Sequence, residues 1–95
     1  MTEAEALEVQ AALASQVRTT GGPRRVRLIA GAVARAEAAN LVRAAAVVLS
    51  LPDLAEAASA VACQPPDMPY RPAFRAFHDG PALLAAICAL AITPD

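Results

Sequence analysis

Apolar and polar positions recur with two different periods along this chain, and the change of period marks out its elements. Thr2 followed three residues later by Glu5 is a capping-box pattern, and Ala6, Val9, Leu13 and Val17 then fall on one face, which predicts an N-terminal helix. Gly21-Gly22-Pro23 closes that segment. From Arg25 the period shortens to two. Arg25, Arg27 and Ile29 alternate with Val26, Leu28 and Ala30, which predicts a strand running up to Gly31.

The middle of the chain is ambiguous. Ala32 to Asn40 alternates alanine with Arg35 and Glu37, and its high intrinsic helix propensity favours a helix. Ala44 to Leu51 is a continuous apolar run closed by Pro52-Asp53, which suits a buried strand or a buried helix equally. Leu54 to Cys63 also fits either, since Leu54, Ala58 and Val61 form a helical stripe that a sheet would accept too. Gln64 to Pro72 holds four prolines in nine residues and must be an extended or turning loop. Pro81 to Ile92 reads as a helix capped by Asp79 or Gly80, with Pro81 in its first turn and Thr93-Pro94 as its stop.

Composition narrows what these elements can build. A chain of 95 residues allows one small domain over residues 1–95. The 57% hydrophobic content includes 26 alanines, so the core is thin and either marginal stability or burial against a partner is expected. The longest strictly apolar run, Ala82 to Ile92, is 11 residues, too short to span a bilayer, so no membrane association is expected. The acidic N-terminus is not that of a secretory signal, which makes the cytoplasm the expected location. Cys63 and Cys88 lack metal-ligand spacing and read as buried free thiols. Charge is uneven: residues 18–43 carry six arginines and one glutamate within a chain of net charge −1, yet such arginines usually form a solvated face.

One stretch is more specific. Met68-Pro-Tyr-Arg-Pro-Ala-Phe-Arg-Ala-Phe-His-Asp-Gly-Pro-Ala-Leu-Leu-Ala-Ala86 resembles endonuclease V, a family with a Pro-Tyr-Ile-Pro-Gly loop, a Ser-Phe-Arg-Glu turn and a helix beginning Pro-Ala-Leu-Leu. Val26 to Gly31 resembles the family's first strand, and Arg43 to Leu54 its second strand and the turn after it. The resemblance covers nearly all of this chain and about the N-terminal half of a family member. It implies a partial RNase H-like α/β fold: an N-terminal helix, a three-stranded antiparallel sheet, the Pro-rich loop and a packing helix. It therefore turns residues 54–63 into a strand, and Ala32 to Asn40 into the end of the first strand and a hairpin.

The activity implied is Mg²⁺-dependent DNA repair, nicking DNA on the 3′ side of deoxyinosine. Such hydrolysis needs clustered carboxylates that hold the metal so that it activates water and stabilises the developing oxyanion. Counted from Gly31, the family's first metal-binding Asp falls on Val33, so that ligand is missing. The Phe-Arg-Glu carboxylate aligns with Asp79, one methylene shorter, and Asp79 is the candidate catalytic and metal-binding residue. The third carboxylate is expected beyond Asp95. The loop implies DNA binding through Tyr70, Arg71 and Pro72: Tyr70 as wedge or stacking ring, Arg71 toward phosphate, and the prolines as stiffeners, with Ala73 at the family's glycine position.

Plainer readings stand beside these. Asp79 before Gly80-Pro81 is an ordinary helix cap. His78, without further histidines, reads as a solvated or loop residue. Tyr70 in a Pro-rich loop can simply pack over a core edge. The resemblance implies a truncated, impaired relative of the nuclease, completed if at all by an oligomer or a complementing chain. The alternative is a non-catalytic small interaction or DNA-binding module.

Overall fold

The computed structural model describes residues 1–95. Its elements are α1 (Glu3–Ala14), β1 (Leu28–Ala38), β2 (Leu41–Ser50), β3 (Ala55–Gln64), a 3-10 turn (Pro72–Phe74) and α2 (Arg75–Cys88). The strands form one antiparallel sheet in the order β1-β2-β3, and α2 lies across one face of it. This is the α/β arrangement that the resemblance implies. The intrinsic preference of Ala32 to Asn40 for helix is overturned: most of the segment is β1, and it turns into β2 at Ala39-Asn40.

The reason is tertiary. Alanine's advantage in a helix over ordinary residues is at most about 0.7 kcal/mol per residue, while pairing β1 against β2 satisfies a whole ladder of backbone groups. In register, Ala36, Ala34, Ala32 and Ala30 stand opposite Val42, Ala44, Ala46 and Val48, on the sheet face that meets α2. The strand that was expected to begin at Arg25 begins instead at Leu28 and does not end at Gly31. Arg25 and Val26 lie outside the ladder. At the far end of β1 a bulge between Ala36 and Ala38 gives Glu37 room to reach both Arg43, at 3.0 Å, and Arg35, at 3.8 Å.

The main core is small. Val42, Ala44 and Ala46 of β2 meet Ala82 and Ala86 of α2, all nearly inaccessible to solvent. Alanine on both sides lets helix and sheet approach closely, and no side chain there can swing away to make room for more volume. A second cluster joins Ala6 of α1 to Met68 and Phe74, with Phe77 packed against it. Ala6 is the only buried residue of α1, so Leu13 and Val17 of the expected stripe are exposed and the helix stops at Ala14. α1 is held along the loop by polar contacts as well: the Met1 amino group donates to the Asp67 carbonyl (3.1 Å) and Gln10 Nε2 to the Ala73 carbonyl (3.1 Å).

Several local expectations fail. α2 starts at Arg75, six residues before Pro81, so Pro81 lies inside the helix and Asp79 is not its cap; Phe74 holds that position without a side-chain bond. Pro81 has no N–H to give the Phe77 carbonyl four residues back, and the Asp67 N–H of the Pro-rich loop takes that place at 3.1 Å. The helix also ends at Cys88, short of Ile92, and exposes Leu84 and Ile87. Both cysteines are free but exposed, not buried. His78 is buried and helical, not solvated in a loop. No helix is long and apolar enough to cross a membrane.

The opposite face of the sheet has no covering element, and Ile29, Val33 and Val61 are exposed on it. Asp95 docks at the start of β1: its Oδ2 accepts from the N–H groups of Arg27 (2.7 Å) and Leu28 (2.9 Å), and its own N–H donates to the Leu28 carbonyl (2.9 Å).

The tight alanine contact gives a test. Ala82→Leu is expected to cost about 1–3 kcal/mol by overpacking, read as a lower urea midpoint, whereas Leu84→Ala, on the exposed face of α2, is expected to change stability by less than about 0.5 kcal/mol.

Candidate functional site

The packing of α2 on β2 fixes where the first turns of that helix stand, and they stand beside β1. Two adjoining cavities open there. One, about 340 Å³, is lined by Ala34, Arg35 and Ala36 of β1, by Tyr70, and by Arg75, His78 and Asp79 of α2. The other, about 370 Å³, shares Ala34, Arg75 and Asp79 and extends to Val33 and Leu83. Val33 borders the second cavity with Asp79, although along β1 it alternates with Ala32 and Ala34 and so belongs to the sheet face away from α2.

Asp79 is the most constrained charged group in the chain. It is 9% exposed, one turn along α2 from Arg75 and adjacent to His78. The His78 ring donates from Nδ1 to Asp79 Oδ1 at 2.8 Å, and Arg75 donates from Nε to Oδ2 at 3.0 Å. A carboxylate only accepts, which assigns the proton to Nδ1 of His78. Burial acts to raise the Asp79 pKa, but the bonds from His78 and Arg75, together with the charge of Arg75, outweigh it and hold the group below its ordinary range. The Arg75 guanidinium is correspondingly held more firmly protonated by its bond to Asp79.

The loop residues sit at the rim. Tyr70 is 55% exposed, and its ring meets the buried ring of His78 edge to face, with centroids 5.5 Å apart. That contact orients Tyr70 beside the cavity while leaving most of the ring uncovered. Pro72 opens the 3-10 turn that leads into α2, so its fixed backbone angle sets the direction in which the loop enters the helix. Arg71 does not point freely outward: its Nε lies 2.9 Å from Glu3 Oε1, and both side chains are more than half exposed. Met68 and Phe74, buried against Ala6, anchor the loop from below.

Of the sequence-derived candidates, the structure brings Tyr70 and Asp79 to one cavity and places Arg71 on its outer side against α1. Arg24, Arg25 and Arg27 are exposed on the connection before β1 and line neither cavity. Sequence reading missed Arg75 and Glu3. The spacing of Arg75 and Asp79, four apart on a helix, carries the first signal once the helix is known to start at 75. Glu3 meets Arg71 across 68 residues of chain, which no local pattern reveals.

The donor set can be tested against a divalent cation. Val33 offers no oxygen, both Asp79 oxygens are already engaged, and no three His, Cys, Asp or Glu side chains gather where they would hold a metal. Mg²⁺ prefers several oxygen ligands in near-octahedral array. The residues present do not fit it.

Comparison with known proteins places this geometry among relatives. The family model described as Endonuclease V matches residues 11–95. The endonuclease V of Gloeobacter violaceus is 38% identical over 98 residues, covering 100% of this chain and 40% of the relative. That of Alkalilimnicola ehrlichii is 42% identical over 72 residues, covering 75% and 32% respectively. The crystal structure of the endonuclease V from Streptomyces avermitilis superposes with a TM-score of 0.87 at 35% identity, over 98% of this chain and 42% of that one. The catalytic domain of human endonuclease V, at 23% identity and a TM-score of 0.77 over 93% of this chain and 41% of its own, shares the fold. The chain thus spans about two fifths of the length of the relatives it matches.

The bonded state of Asp79 has a pH signature. Because the folded carboxyl is held below its unfolded value, its contribution is complete above the ordinary carboxylate range and is lost as pH falls through the depressed folded value. Asp79→Asn is expected to cost about 1–3 kcal/mol at pH 7, the usual loss when a buried charged hydrogen bond is broken. The gap to the parent chain should close on acidification. Urea denaturation of both proteins from pH 7 to pH 2.5 measures it, and a gap independent of pH would contradict the assignment.

Proposed function

The chain belongs to the endonuclease V family, and on that premise we propose that it serves DNA repair as the DNA-gripping portion of a nuclease that nicks on the 3′ side of deoxyinosine. The observation that supports this is the meeting of Tyr70 and Asp79 at one cavity, with the Pro-rich loop on its rim. Phosphodiester hydrolysis of the family's kind would draw on Mg²⁺ to activate water, and that requires more carboxylates than this cleft presents. On this reading a complementing chain supplies them, and residues 1–95 do the work of holding DNA.

Each loop residue has a part in that work. Tyr70 offers a largely uncovered ring for a base to stack on, or a wedge between bases, with its other edge braced by His78. Pro69 and Pro72 limit the loop's freedom, so little order is lost when DNA binds. Arg71 exchanges Glu3 for a phosphate. An exposed ion pair of this kind is worth only about 0–1 kcal/mol, so the exchange is cheap. The chain acts on this reading in the cytoplasm, beside its DNA.

The test is incubation of the purified chain with a labelled single strand containing deoxyinosine, in Mg²⁺ or Mn²⁺, with Asp79→Ala in parallel. Binding is expected, weakened about five- to a hundredfold by Tyr70→Ala as a stacking contact is lost, and cleavage is expected to stay at the level of Asp79→Ala. Nicking that vanishes in Asp79→Ala would show the chain to be complete by itself. Absence of binding would remove the reading altogether.

The uncovered sheet face supports a second reading, a non-catalytic module that associates with a second copy through Ile29, Val33 and Val61. Sedimentation equilibrium then shows a dimer that Val61→Glu dissociates; a monomer at all concentrations excludes it.

A further inference from the structure

The cavity between β1 and α2 carries an arrangement of charge that the expected metal chemistry leaves unexplained. Asp79, its single carboxylate, accepts from His78 on one oxygen and from Arg75 on the other, so its charge is already compensated from within the chain. Arg75 uses only its Nε in this bond, and its terminal nitrogens have no partner in the chain although the side chain is 66% exposed beside the cavity. The bond to Asp79 therefore sets the plane of a guanidinium whose remaining donors are free. Arg35 borders the same cavity from β1 but alternates with Ala34 and Ala36, so its 80% exposed side chain lies toward the other face of the sheet, 3.8 Å from Glu37, which Arg43 already holds at 3.0 Å. Tyr70 adds an uncovered ring at the same rim.

A fixed guanidinium fork with free donors next to an aromatic ring matches one nucleotide unit of a single strand, phosphate on the cation and base on the ring. We propose that this cavity takes a phosphate of single-stranded DNA directly on Arg75, with no divalent cation between them, and that Asp79 is the positioning residue that aims the guanidinium. The proposal rests on the reading that the chain grips DNA, and it goes further in naming the residue, the atom group and the independence from metal. It also accounts for the pairing of Asp79: a bare carboxylate there would repel the phosphate, while one paired with the Arg75 guanidinium is offset by it. Lysine at 75 would keep the charge but lose the planar fork.

The experiment is fluorescence anisotropy of a labelled oligothymidylate with the purified chain, in EDTA and in Mg²⁺, over a KCl series. Equal affinity is expected in the two buffers. Arg75→Gln should weaken binding about five- to tenfold and lower the salt slope by about 0.7, the loss of one single-strand phosphate contact. Arg75→Lys should keep the slope with reduced affinity. Asp79→Asn should weaken binding about two- to threefold with the slope unchanged, and Asp79→Glu should recover most of that loss. Arg35→Gln, whose exposed side chain lies toward the other face of the sheet, is the control and should leave affinity and slope close to those of the parent. Binding that needs Mg²⁺, or an Arg75→Gln variant that binds like the parent while Tyr70→Ala does not, overturns this proposal and leaves the DNA reading intact. Failure of the parent chain to bind in either buffer removes both.

Discussion

The contact of Ala82 and Ala86 with Val42, Ala44 and Ala46 sets the height of α2 above the sheet, and most of what the protein presents follows from that height. Side chains this small permit only a close approach, and a close approach leaves α2 a narrow range of positions. The first turns of the helix then overhang β1, which is why Arg75, His78 and Asp79 share a cleft with Ala34 and Val33. Larger residues at this contact would lift the helix and open the cleft. The same thin core explains the small number of buried residues, 11 of 95, and leaves the other sheet face without cover.

A second constraint couples the Pro-rich loop to the cleft. Met68 and Phe74 are buried under Ala6, and Glu3, Gln10 and the N-terminal amino group hold the loop at Arg71, Ala73 and Asp67. α1 thus works as a brace for the loop more than as part of the core. Tyr70 is kept beside His78, and through His78 beside Asp79, so the exposed ring and the buried carboxylate belong to one connected set of contacts. A side chain that engages DNA at Tyr70 would be felt at Asp79 through this path.

The chemistry at Asp79 shows what membership of a family does and does not carry. Asp79 lines the cleft, yet the Val33 side chain offers no donor and Asp79 is bonded to its own neighbours, Arg75 and His78. In the fold, a carboxylate with both oxygens satisfied is an organiser of neighbouring groups. Its effect passes to Arg75, whose free donors are the ones that meet solvent.

Much of the fold was legible beforehand, for reasons that can be named. The capping box at Thr2 and Glu5 marked the start of α1, and the Thr2 side chain does accept from the Glu5 N–H at 3.1 Å. The prolines between Gln64 and Pro72 forbade regular structure there. Alanine at every second position from Ala30 to Ala38 was a strand signal that propensity obscured, because in a helix those alanines would scatter around the axis. Pro81 misled in the other direction: it marked a helix start, but Phe74, packed on Ala6 and Met68, let the helix begin six residues earlier. That shift moved Asp79 from an exposed cap to a buried interior turn. The sequence by itself therefore determined the start of α1, the Pro-rich loop and a helix after it, since capping and proline chemistry are local properties, whereas the strands over residues 32–63 and the candidacy of Tyr70 and Asp79 were legible only through the likeness to endonuclease V. Only the tertiary structure decided that Arg75 and His78 would claim both oxygens of Asp79 and that Glu3 would reach Arg71, because burial and contacts between distant segments arise when helix and sheet pack.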